Sequence, residues 1–430
     1  MNPKAGDKIK VTTSDGELIG IFMPNKETDA MVLKLDNGYN VGIDSKKIKK
    51  IEIIEHYKEK KKDDEKKPAH AKNKKTICIL HTGGTIASKV DYRTGGVVAR
   101  FSPEEIISMF PELDKIANIK SKLIANMFSE DLRFVHCSMI AKEAKNAIDG
   151  GADGIIITHG TDTMHYSSAA MSFMLDNLPV PVIFVGAQRS SDRGSSDAGV
   201  NLICAAEFIA KSDFTGVGIC MHEGMDDENC LILPACKTRK MHTSRRDAFK
   251  AVNDTPIARI NYTSKKIEFI NKDYPKKTSH PFALKDKMEE KVAILKVHPN
   301  MFPEQFLAYK GYKGLIIEGT GLGQAPVGTP NEFCKVHEKI MEAIKELIDS
   351  GTIVCMASQA LFGKVSMHVY SNAIDLANAG VISAEDMLPE TAFIKLAWLL
   401  GNYPKEKAKE LIAENLRGEI NQRPQSDMFL

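Results

Sequence analysis

The sequence predicts an α/β protein with two parallel-sheet domains, preceded by a small antiparallel β-barrel. From residue 76 onward, short apolar runs alternate with helical segments, which is typical of a parallel sheet with crossover helices. Two of these runs end in a glycine turn that is followed by threonine. The first 55 residues differ, because they contain only short strands separated by tight-turn signals. Together these three observations predict the fold class.

The N-terminal segment, residues 1–55, contains five short strands of largely alternating apolar and polar residues. Turn signals at Ser14-Asp15-Gly16 and Asp36-Asn37-Gly38 separate some of them. Asn-Gly between apolar runs is a strong indication of a hairpin, so the segment is predicted to form a small antiparallel barrel. Such barrels often bind RNA or proteins. A docking module without a ligand is an equally good interpretation.

Two charged stretches divide the rest of the chain. Residues 56–75 are rich in lysine, nearly free of apolar residues and broken by Pro68, which predicts a solvated linker. Its lysines could contact RNA phosphates, although solvation alone explains them. Residues 271–290 carry lysines and two prolines and predict a second linker. The predicted α/β domains therefore cover residues 76–270 and, in a smaller C-terminal domain, 291–430.

The stretch Thr76 to Ser88 reads TICILHTGGTIAS and is predicted to organise the first α/β domain. Its apolar run suits a strand that is buried on both faces. Gly83-Gly84 then permits a tight turn, which places Thr85 at the carboxyl end of the strand, where parallel sheets bind ligands. Taken alone, TGGT is equally well explained as an ordinary strand-to-loop turn.

A second stretch has the same order of strand, glycine turn and threonine. Asp153 to Met164 reads DGIIITHGTDTM, with a strand, a turn at Gly160, and then Thr161 and Asp162 at the strand end. A threonine hydroxyl is a poor nucleophile unless a neighbouring group takes its proton. Two hydroxyls, a carboxylate and a lysine could together make an amide-cleaving site.

Composition narrows the possible function classes. The formal net charge of +2 does not require a nucleic-acid partner, and no apolar run is long enough for a membrane span. The start lacks the apolar core of a secretory signal, and the eight cysteines contain no CxxC pair. A cytoplasmic protein with reduced cysteines is expected. No GxxxxGK[ST] loop is present, and Gln324 interrupts the one glycine pattern that resembles a dinucleotide fingerprint.

The paired motifs TGGTIA, at residues 82–87, and HGTDT, at residues 159–163, resemble the two signatures of the L-asparaginase family. The resemblance runs from about residue 76 to 415. Within the family the sequence is most similar to the D subunits of archaeal glutamyl-tRNA(Gln) amidotransferases. The closer match is carried by the N-terminal barrel, by QRSSDRGSSDA at 188–198 and by KMHTSRRDAF at 240–249. Gly194 stands where the second of these segments usually has proline.

The resemblance implies a set of catalytic residues. Thr85 corresponds to the family's nucleophile, and Thr161 and Asp162 belong to the second signature. Lys240 corresponds to the family's lysine, nine residues before Phe249. A lysine that acts as a base must be neutral, whereas a neighbouring Asp162 favours its charged form. Lys240 is therefore either a proton acceptor or a charged hydrogen-bonding anchor.

The same resemblance implies the substrate contacts. Tyr92 corresponds to the tyrosine of a mobile loop that covers the substrate, and Ser129 to a serine that holds the substrate carboxylate. Glu130 stands where asparaginases often have glutamine, in contact with the substrate amino group. Backbone amides around Gly84 are expected to donate to the oxyanion of the tetrahedral intermediate. The acidic residue that some relatives add to a neighbouring subunit's site cannot be placed on this sequence.

The function implied by the resemblance is that of a glutaminase subunit with a threonine nucleophile. Such a subunit hydrolyses glutamine and supplies ammonia for converting Glu-tRNA(Gln) to Gln-tRNA(Gln). ATP and Mg would be used on a partner, the amidotransferase E subunit, with no metal or cofactor on this chain, and a homodimer within a heterotetramer is expected. The alternative is a free-standing cytoplasmic L-asparaginase, whose chemistry does not need the barrel. A binding scaffold with a dead site is a third class, which the joint presence of the four catalytic residues disfavours.

Overall fold

The N-terminal segment forms one antiparallel sheet. The computed structural model describes residues 3–4, 6–23, 30–35, 40–56, 73–84, 88–90, 97–99, 109–189 and 196–423. The first five strands are β1 (Lys8–Thr13), β2 (Glu17–Met23), β3 (Ala30–Lys34), β4 (Asn40–Asp44) and β5 (Ile48–Glu55), in the spatial order β4-β3-β2-β1-β5. Only residues 45–47 separate β4 from β5, so the short connection draws the two edges of the sheet together at one end. Its core is made by Ile9, Val11, Leu33 and Ile43.

The larger of the two remaining sheets has eight strands. They are β6 (Thr76–Gly83), β9 (Asn118–Met127), β10 (Gly154–Thr158), β12 (Val182–Val185), β13 (Val217–His222), β14 (Asn229–Pro234), β17 (Ala258–Asn261) and β18 (Ile267–Phe269). The spatial order is β18-β17-β14-β13-β12-β10-β6-β9. The pairs from β9 to β13 are parallel, whereas β14, β17 and β18 add to one edge in antiparallel pairs. The sheet is therefore mixed, with a parallel half that continues into the glycine turns.

Three two-stranded ribbons accompany this sheet. They pair β7 (Ser88–Val90) with β8 (Val97–Ala99), β11 (Leu175–Asp176) with β19 (Ala283–Leu284), and β15 (Thr238–Lys240) with β16 (Phe249–Ala251). The accompanying helices are α1 (Leu113–Ile116), α2 (Phe134–Asp149), α3 (Met164–Met174) and α4 (Ala198–Lys211). The inner parallel strands β6, β10, β12 and β13 are mainly apolar because both of their faces are covered, and Ile155, Ile156 and Ile157 are all fully buried. We call the eight-stranded sheet with these ribbons and helices the large unit.

The small unit contains a four-stranded parallel sheet. Its strands are β20 (Val292–Lys296), β21 (Gly314–Gly319), β22 (Ile353–Ser358) and β23 (Ile382–Ser383), hydrogen-bonded in that order. Its helices are α5 (Pro303–Leu307), α6 (Val336–Asp349), α7 (Ser371–Asn378), α8 (Pro389–Asn402) and α9 (Lys405–Leu411). Among the helices that the structure describes, none is long and apolar enough to cross a membrane.

The two units share a hydrophobic core. Helix α8 of the small unit packs against α3 of the large unit, and the indole of Trp398 stacks on Phe173 with ring centroids 5.5 Å apart. Both side chains are almost fully buried, as is Leu396 beside them. Because α3 begins immediately after the second glycine motif, this packing ties the strand ends of the large unit to the small unit.

Candidate functional site

The site is built where three neighbouring parallel strands end. β6 lies between β9 and β10, so Gly83, Met127 and Thr158 reach the same edge of the sheet. Buried hydrogen bonds lock the ends together: Thr82 Oγ1 donates to the carbonyl of Thr158 at 2.9 Å, and His81 Nδ1 lies 2.9 Å from Thr158 Oγ1. The two sequence motifs are thereby placed side by side.

Glycine is required in the first turn for two reasons. Gly83 and Gly84 have φ of +104° and +76°, which side chains disfavour. In addition, a Cβ on Gly83 would lie 2.5 Å from the carbonyl oxygen of Met127, and a Cβ on Gly84 would collide with the backbone of Gly160. The first turn therefore rests directly on the second.

At the second turn, Gly160 leaves space for Ser129, the serine that is predicted to hold the substrate carboxylate. A Cβ on Gly160 would lie 2.9 Å from Ser129 Oγ, and Thr163 Oγ1 donates to the carbonyl of Ser129 at 2.6 Å. Ser129 is buried, whereas Glu130, next to it, is exposed. The structure thus places two of the four predicted substrate-binding residues, Ser129 and the adjacent Glu130, beside the glycine turns.

The Gly84 amide has a structural partner. It donates to the carbonyl of Met127 at 3.2 Å, which continues the pairing of β6 with β9 past the glycine turn. The participation of Gly84 in oxyanion binding stays a prediction. Thr85 and Tyr92 lie outside the described residues, so their predicted roles also stay predictions.

Lys240 reaches the second motif from the ribbon of β15 and β16. Its Nζ donates to Thr161 Oγ1 at 2.9 Å and to Asp162 Oδ1 at 2.6 Å. The Lys240 side chain is 10% exposed and Thr161 is 7% exposed, whereas the Asp162 side chain is 65% exposed. The structure therefore brings together three of the four predicted catalytic residues, although 78 to 79 residues separate the lysine from the other two.

Lys240 Nζ and Asp162 Oδ1 form an ion pair of 2.6 Å, and Nζ donates to the Thr161 hydroxyl at the same time. Because Thr161 accepts from Lys240, its own proton is available for a further hydrogen bond. The arrangement thus presents a polarised hydroxyl beside the strand ends.

Two buried histidines line the same region, and sequence reasoning did not single them out. His159 Nδ1 donates to the carbonyl of Gly160 at 2.6 Å, and burial lowers the pKa of His159 to about 4. His165 is buried in α3, where burial and then the charges of Arg239 and Lys240 lower its pKa to about 3. Both imidazoles are neutral at pH 7. The signal available in the sequence was the histidine inside HGTDT itself.

Three further charged residues support the site. Asp197, fully buried before α4, accepts from the backbone amides of Gln188 and Arg189 at 3.0 Å and so holds the loop that follows β12. Arg239 forms an ion pair of 3.0 Å with Glu390 of the small unit. Asp197 and its partners lie within the one motif stretch 188–198, whereas Arg239 precedes the stretch 240–249 and its partner Glu390 is far away in the chain.

No set of three or more histidine, cysteine, aspartate or glutamate side chains within the described ranges is arranged to hold a metal ion.

Family comparisons agree with the fold. Residues 76–274 match the family described as "Asparaginase, N-terminal", residues 291–412 match "Glutaminase/Asparaginase C-terminal domain", and residues 4–54 match "GatD N-terminal domain". Among solved structures, the thermostable L-asparaginase from Thermococcus kodakarensis superposes with a TM-score of 0.71 at 29% identity, covering 81% of this chain and 100% of that one. L-asparaginase I from Vibrio cholerae superposes with a TM-score of 0.69 at 27% identity.

The relatives that match this sequence along its whole length are named as amidotransferase subunits and not as asparaginases. The sequence is 47% identical to the D subunit of the glutamyl-tRNA(Gln) amidotransferase of Pyrococcus furiosus, over 99% of this chain and 97% of that protein. It is 45% identical to the D subunit of the Methanococcus maripaludis amidotransferase, over 97% of this chain and 98% of that protein. The chain therefore belongs to the asparaginase family, in the branch formed by the D subunits of glutamyl-tRNA(Gln) amidotransferases.

Proposed function

We propose that this chain is the glutaminase subunit of a tRNA-dependent amidotransferase. It hydrolyses glutamine and supplies the ammonia with which Glu-tRNA(Gln) is converted to Gln-tRNA(Gln). The observation that carries the proposal is Lys240 Nζ held between Thr161 Oγ1 and Asp162 Oδ1 at a glycine-lined strand edge. The similarity to amidotransferase D subunits along the whole chain supports the proposal that the ammonia is used to form Gln-tRNA(Gln).

The proposed reaction runs through an acyl-enzyme. The hydroxyl of Thr85 adds to the side-chain amide carbon, the tetrahedral intermediate collapses, and ammonia leaves after taking up a proton. Water then cleaves the glutamyl ester, releases glutamate and restores the threonine hydroxyl. In this scheme the hydroxyl of Thr161, which accepts a hydrogen bond from Lys240, takes part in the proton transfer. Asp162 holds the Lys240 side chain in place.

The substrate's backbone groups are assigned to the neighbouring turn. We place the α-carboxylate against Ser129, and the α-ammonium against the exposed carboxylate of Glu130. We also assign Tyr92 to the substrate, as the family resemblance implies, and the turn at Gly84 to the surroundings of the reacting amide. An ion pair between Glu130 and the ammonium group would select an amino acid over a simple amide.

Amidation of the tRNA-bound glutamate is assigned to a partner. Activation of that carboxylate requires ATP with Mg, and the sequence contains no GxxxxGK[ST] loop. We therefore propose that the amidotransferase E subunit binds ATP, Mg and the tRNA end, that no cofactor or metal acts on this chain, and that two copies of each subunit assemble in the cytoplasm. We also propose the domain division 1–55, 76–270 and 291–430, with linkers at 56–75 and 271–290.

A free-standing asparaginase is the second candidate, because both superposed structures are asparaginases. They cover only 81% of this chain. Residues 4–54, in contrast, match the family described as the N-terminal domain of GatD. That additional segment favours the amidotransferase assignment.

The deciding experiment measures ammonia release from glutamine and from asparagine. The full-length chain is assayed alone and then with the E subunit, ATP and Glu-tRNA(Gln). We expect glutamine hydrolysis that rises when the partner components are added. Full-rate asparagine hydrolysis by the isolated chain, unchanged by those components, would establish the asparaginase function instead.

The same assay tests the catalytic residues. Thr161→Val keeps the shape of the side chain but removes the hydroxyl that accepts from Lys240. We expect kcat for ammonia release to fall by about 10²- to 10⁴-fold. Thr329→Val, at an exposed position of the small unit, is the control and should retain wild-type turnover. Wild-type turnover in Thr161→Val would remove Thr161 from the mechanism.

A further inference from the structure

The segment that carries Lys240 has three basic side chains with different partners. Lys240 contacts Thr161 and Asp162 of the large unit. Lys237 and Arg239, in contrast, both pair with carboxylates of the small unit. The short ribbon strand β15 is therefore held between the two units, and its last residue is the proposed catalytic lysine.

Of the two ion pairs with the small unit, the one made by Arg239 lies next to Lys240 in the chain. Neighbouring residues of a strand point to opposite faces, so Arg239 extends away from the side on which Lys240 meets Thr161. Arg239 Nη2 lies 3.0 Å from Glu390 Oε1. Glu390 follows Pro389 in the first turn of α8, where the helix dipole favours a carboxylate. The ion pair thus attaches the backbone next to Lys240 to the beginning of a small-unit helix.

Glu390 is not arranged as a simple stabilising group. Its side chain is 9% exposed, and Oε2 is buried without a hydrogen-bond partner among the residues that the structure describes. Burial raises the pKa of Glu390, while the charge of Arg239 acts in the opposite direction. A buried carboxylate with an unsatisfied oxygen contributes little to folding stability, because desolvation offsets the attraction. Its geometry therefore suggests a role other than stability.

The ion pair of Lys237 with Asp386, unlike that of Arg239 with Glu390, has its hydrogen bonds satisfied. Lys237 and Asp386 are both fully buried, and Lys237 Nζ donates to Asp386 Oδ2 at 2.6 Å and to its carbonyl at 3.1 Å. The other oxygen of Asp386 accepts from the backbone amide of Asn421 at 2.9 Å. This satisfied pair fixes the start of the segment to the small unit. Arg239 and Glu390 then determine how the following residue, Lys240, is presented.

We propose that Glu390 is a positioning residue for the amidase site. It acts through Arg239 and β15, and it keeps Lys240 Nζ within hydrogen-bond distance of Thr161 and Asp162. The small unit thereby contributes to catalysis without a side chain that contacts the reacting atoms. This inference rests on the proposed function of Lys240.

The test is Glu390→Gln in the full-length chain, assayed with the partner components. The amide keeps the side-chain volume but removes the charge that holds Arg239. Because small misplacements of a catalytic group are costly, we expect kcat for ammonia release to fall by about 10- to 100-fold. KM for glutamine should stay within about twofold, since an effect confined to kcat indicates a loss in the transition state alone. The midpoint of thermal unfolding should change by no more than about 4 °C.

The control is Glu346→Gln. It removes the small-unit surface pair of Glu346 with Lys310, which has a distance of 2.6 Å, and it should leave kcat unchanged. The double variant Arg239→Gln, Glu390→Gln should be no slower than the slower single variant, because both changes break the same link. A kcat for Glu390→Gln equal to wild type, or a loss matched by Glu346→Gln, would overturn the positioning role.

A readout besides activity separates this inference from the proposed function. In the lysine-labelled protein, the NMR signal of Lys240 is assigned by its loss in Lys240→Met. We expect this signal to shift in Glu390→Gln and to stay in place in Glu346→Gln. An unshifted signal overturns the inference, even if the wild-type protein releases ammonia. A wild-type protein that releases none, with the shift present, overturns the proposed function alone.

Discussion

The large and the small unit each contain a parallel strand that runs into a turn of glycine and threonine. In the large unit, β6 ends at Gly83-Gly84 and the next residue is Thr85. In the small unit, β21 ends at Gly319, followed by Thr320 and Gly321. The local sequences are alike, but only the large unit gathers the proposed catalytic groups around its turn.

The small-unit turn is satisfied by its own neighbours. Thr320 and Gln324 exchange backbone hydrogen bonds of 3.0 and 2.9 Å, and Ser358 Oγ donates to the carbonyl of Gly321. Gln359 Nε2 adds a hydrogen bond of 2.8 Å to the carbonyl of Glu318. These contacts close the turn on itself.

The large-unit turn instead rests on another turn. Gly84 contacts the backbone of Gly160, and this contact places the residues after Gly160 where Lys240 can reach them. A strand that ends in glycine and threonine is therefore not sufficient for a site. It becomes one when a second strand end and a lysine from a distant ribbon arrive at the same place.

The largest expected effect is on activity, which should depend on residues at the large-unit turn and not on residues at the small-unit turn. Lys240→Met removes the ammonium between Thr161 and Asp162, and we expect kcat for ammonia release to fall by about 10²- to 10³-fold. Thr320→Val alters the corresponding threonine of the small-unit turn, which is exposed. It should stay within about twofold of wild type, as expected for a surface change. Comparable losses in the two variants would contradict the contrast drawn between the turns.

The next prediction compares the turns by stability. Gly84→Ala introduces a Cβ that collides with the backbone of Gly160, at a φ of +76°, and should cost about 3 kcal/mol or more of unfolding free energy. Gly321→Ala has a φ of +53° but open space around its Cβ, so only the left-handed conformation is unfavourable, at about 1–2 kcal/mol. Thermal unfolding measures both. Equal shifts in the midpoint would show that the contact between the two turns is unimportant.

The smallest expected effect concerns pH. The pKa of His159 is lowered by burial from 6.5 to about 4. Below pH 6.5 the unfolded chain binds a proton that the folded protein excludes, so acidification favours unfolding. The stability held at neutral pH is lost as the pH falls from 6.5 towards 4, by about 2 kcal/mol between pH 7 and 5. No histidine in the described part of the small unit is buried.

Denaturation followed by the fluorescence of Trp398, which lies at the contact between the units, measures this dependence. His159→Gln should reduce the loss of stability between pH 7 and 5, and the loss that remains is expected from His165, whose pKa is also lowered by burial. His368→Gln, at an exposed position of the small unit, should leave the slope unchanged. A wild-type slope in His159→Gln would show that this histidine titrates equally in the folded and unfolded states.

Local sequence determined the parallel strands and their turns. The apolar run at Val182–Val185 predicts β12 with the bounds that the structure has. The stretch after HGTDT predicts a helix over residues 167–175, whereas α3 begins at Met164, where burial starts directly after the motif. The antiparallel strands β14, β17 and β18 were not predicted. β17 and β18 are short and incompletely buried towards the sheet edge, which leaves a weaker pattern, whereas β14 is buried from Cys230 to Leu233.

The residue types of the candidate site were also available from sequence, since TGGT, HGTDT and the lysine segment identify the family. Only the tertiary structure decided which of them meet. Lys240 lies 79 residues from Thr161, and Arg239 pairs with Glu390 in another unit. Such contacts depend on where β15 lies between the two units. The periodicity of apolar residues along the sequence does not contain this information. The neutral state of His159 likewise depends on burial by segments distant in the chain, because desolvation is a property of the packed interior and not of the local sequence.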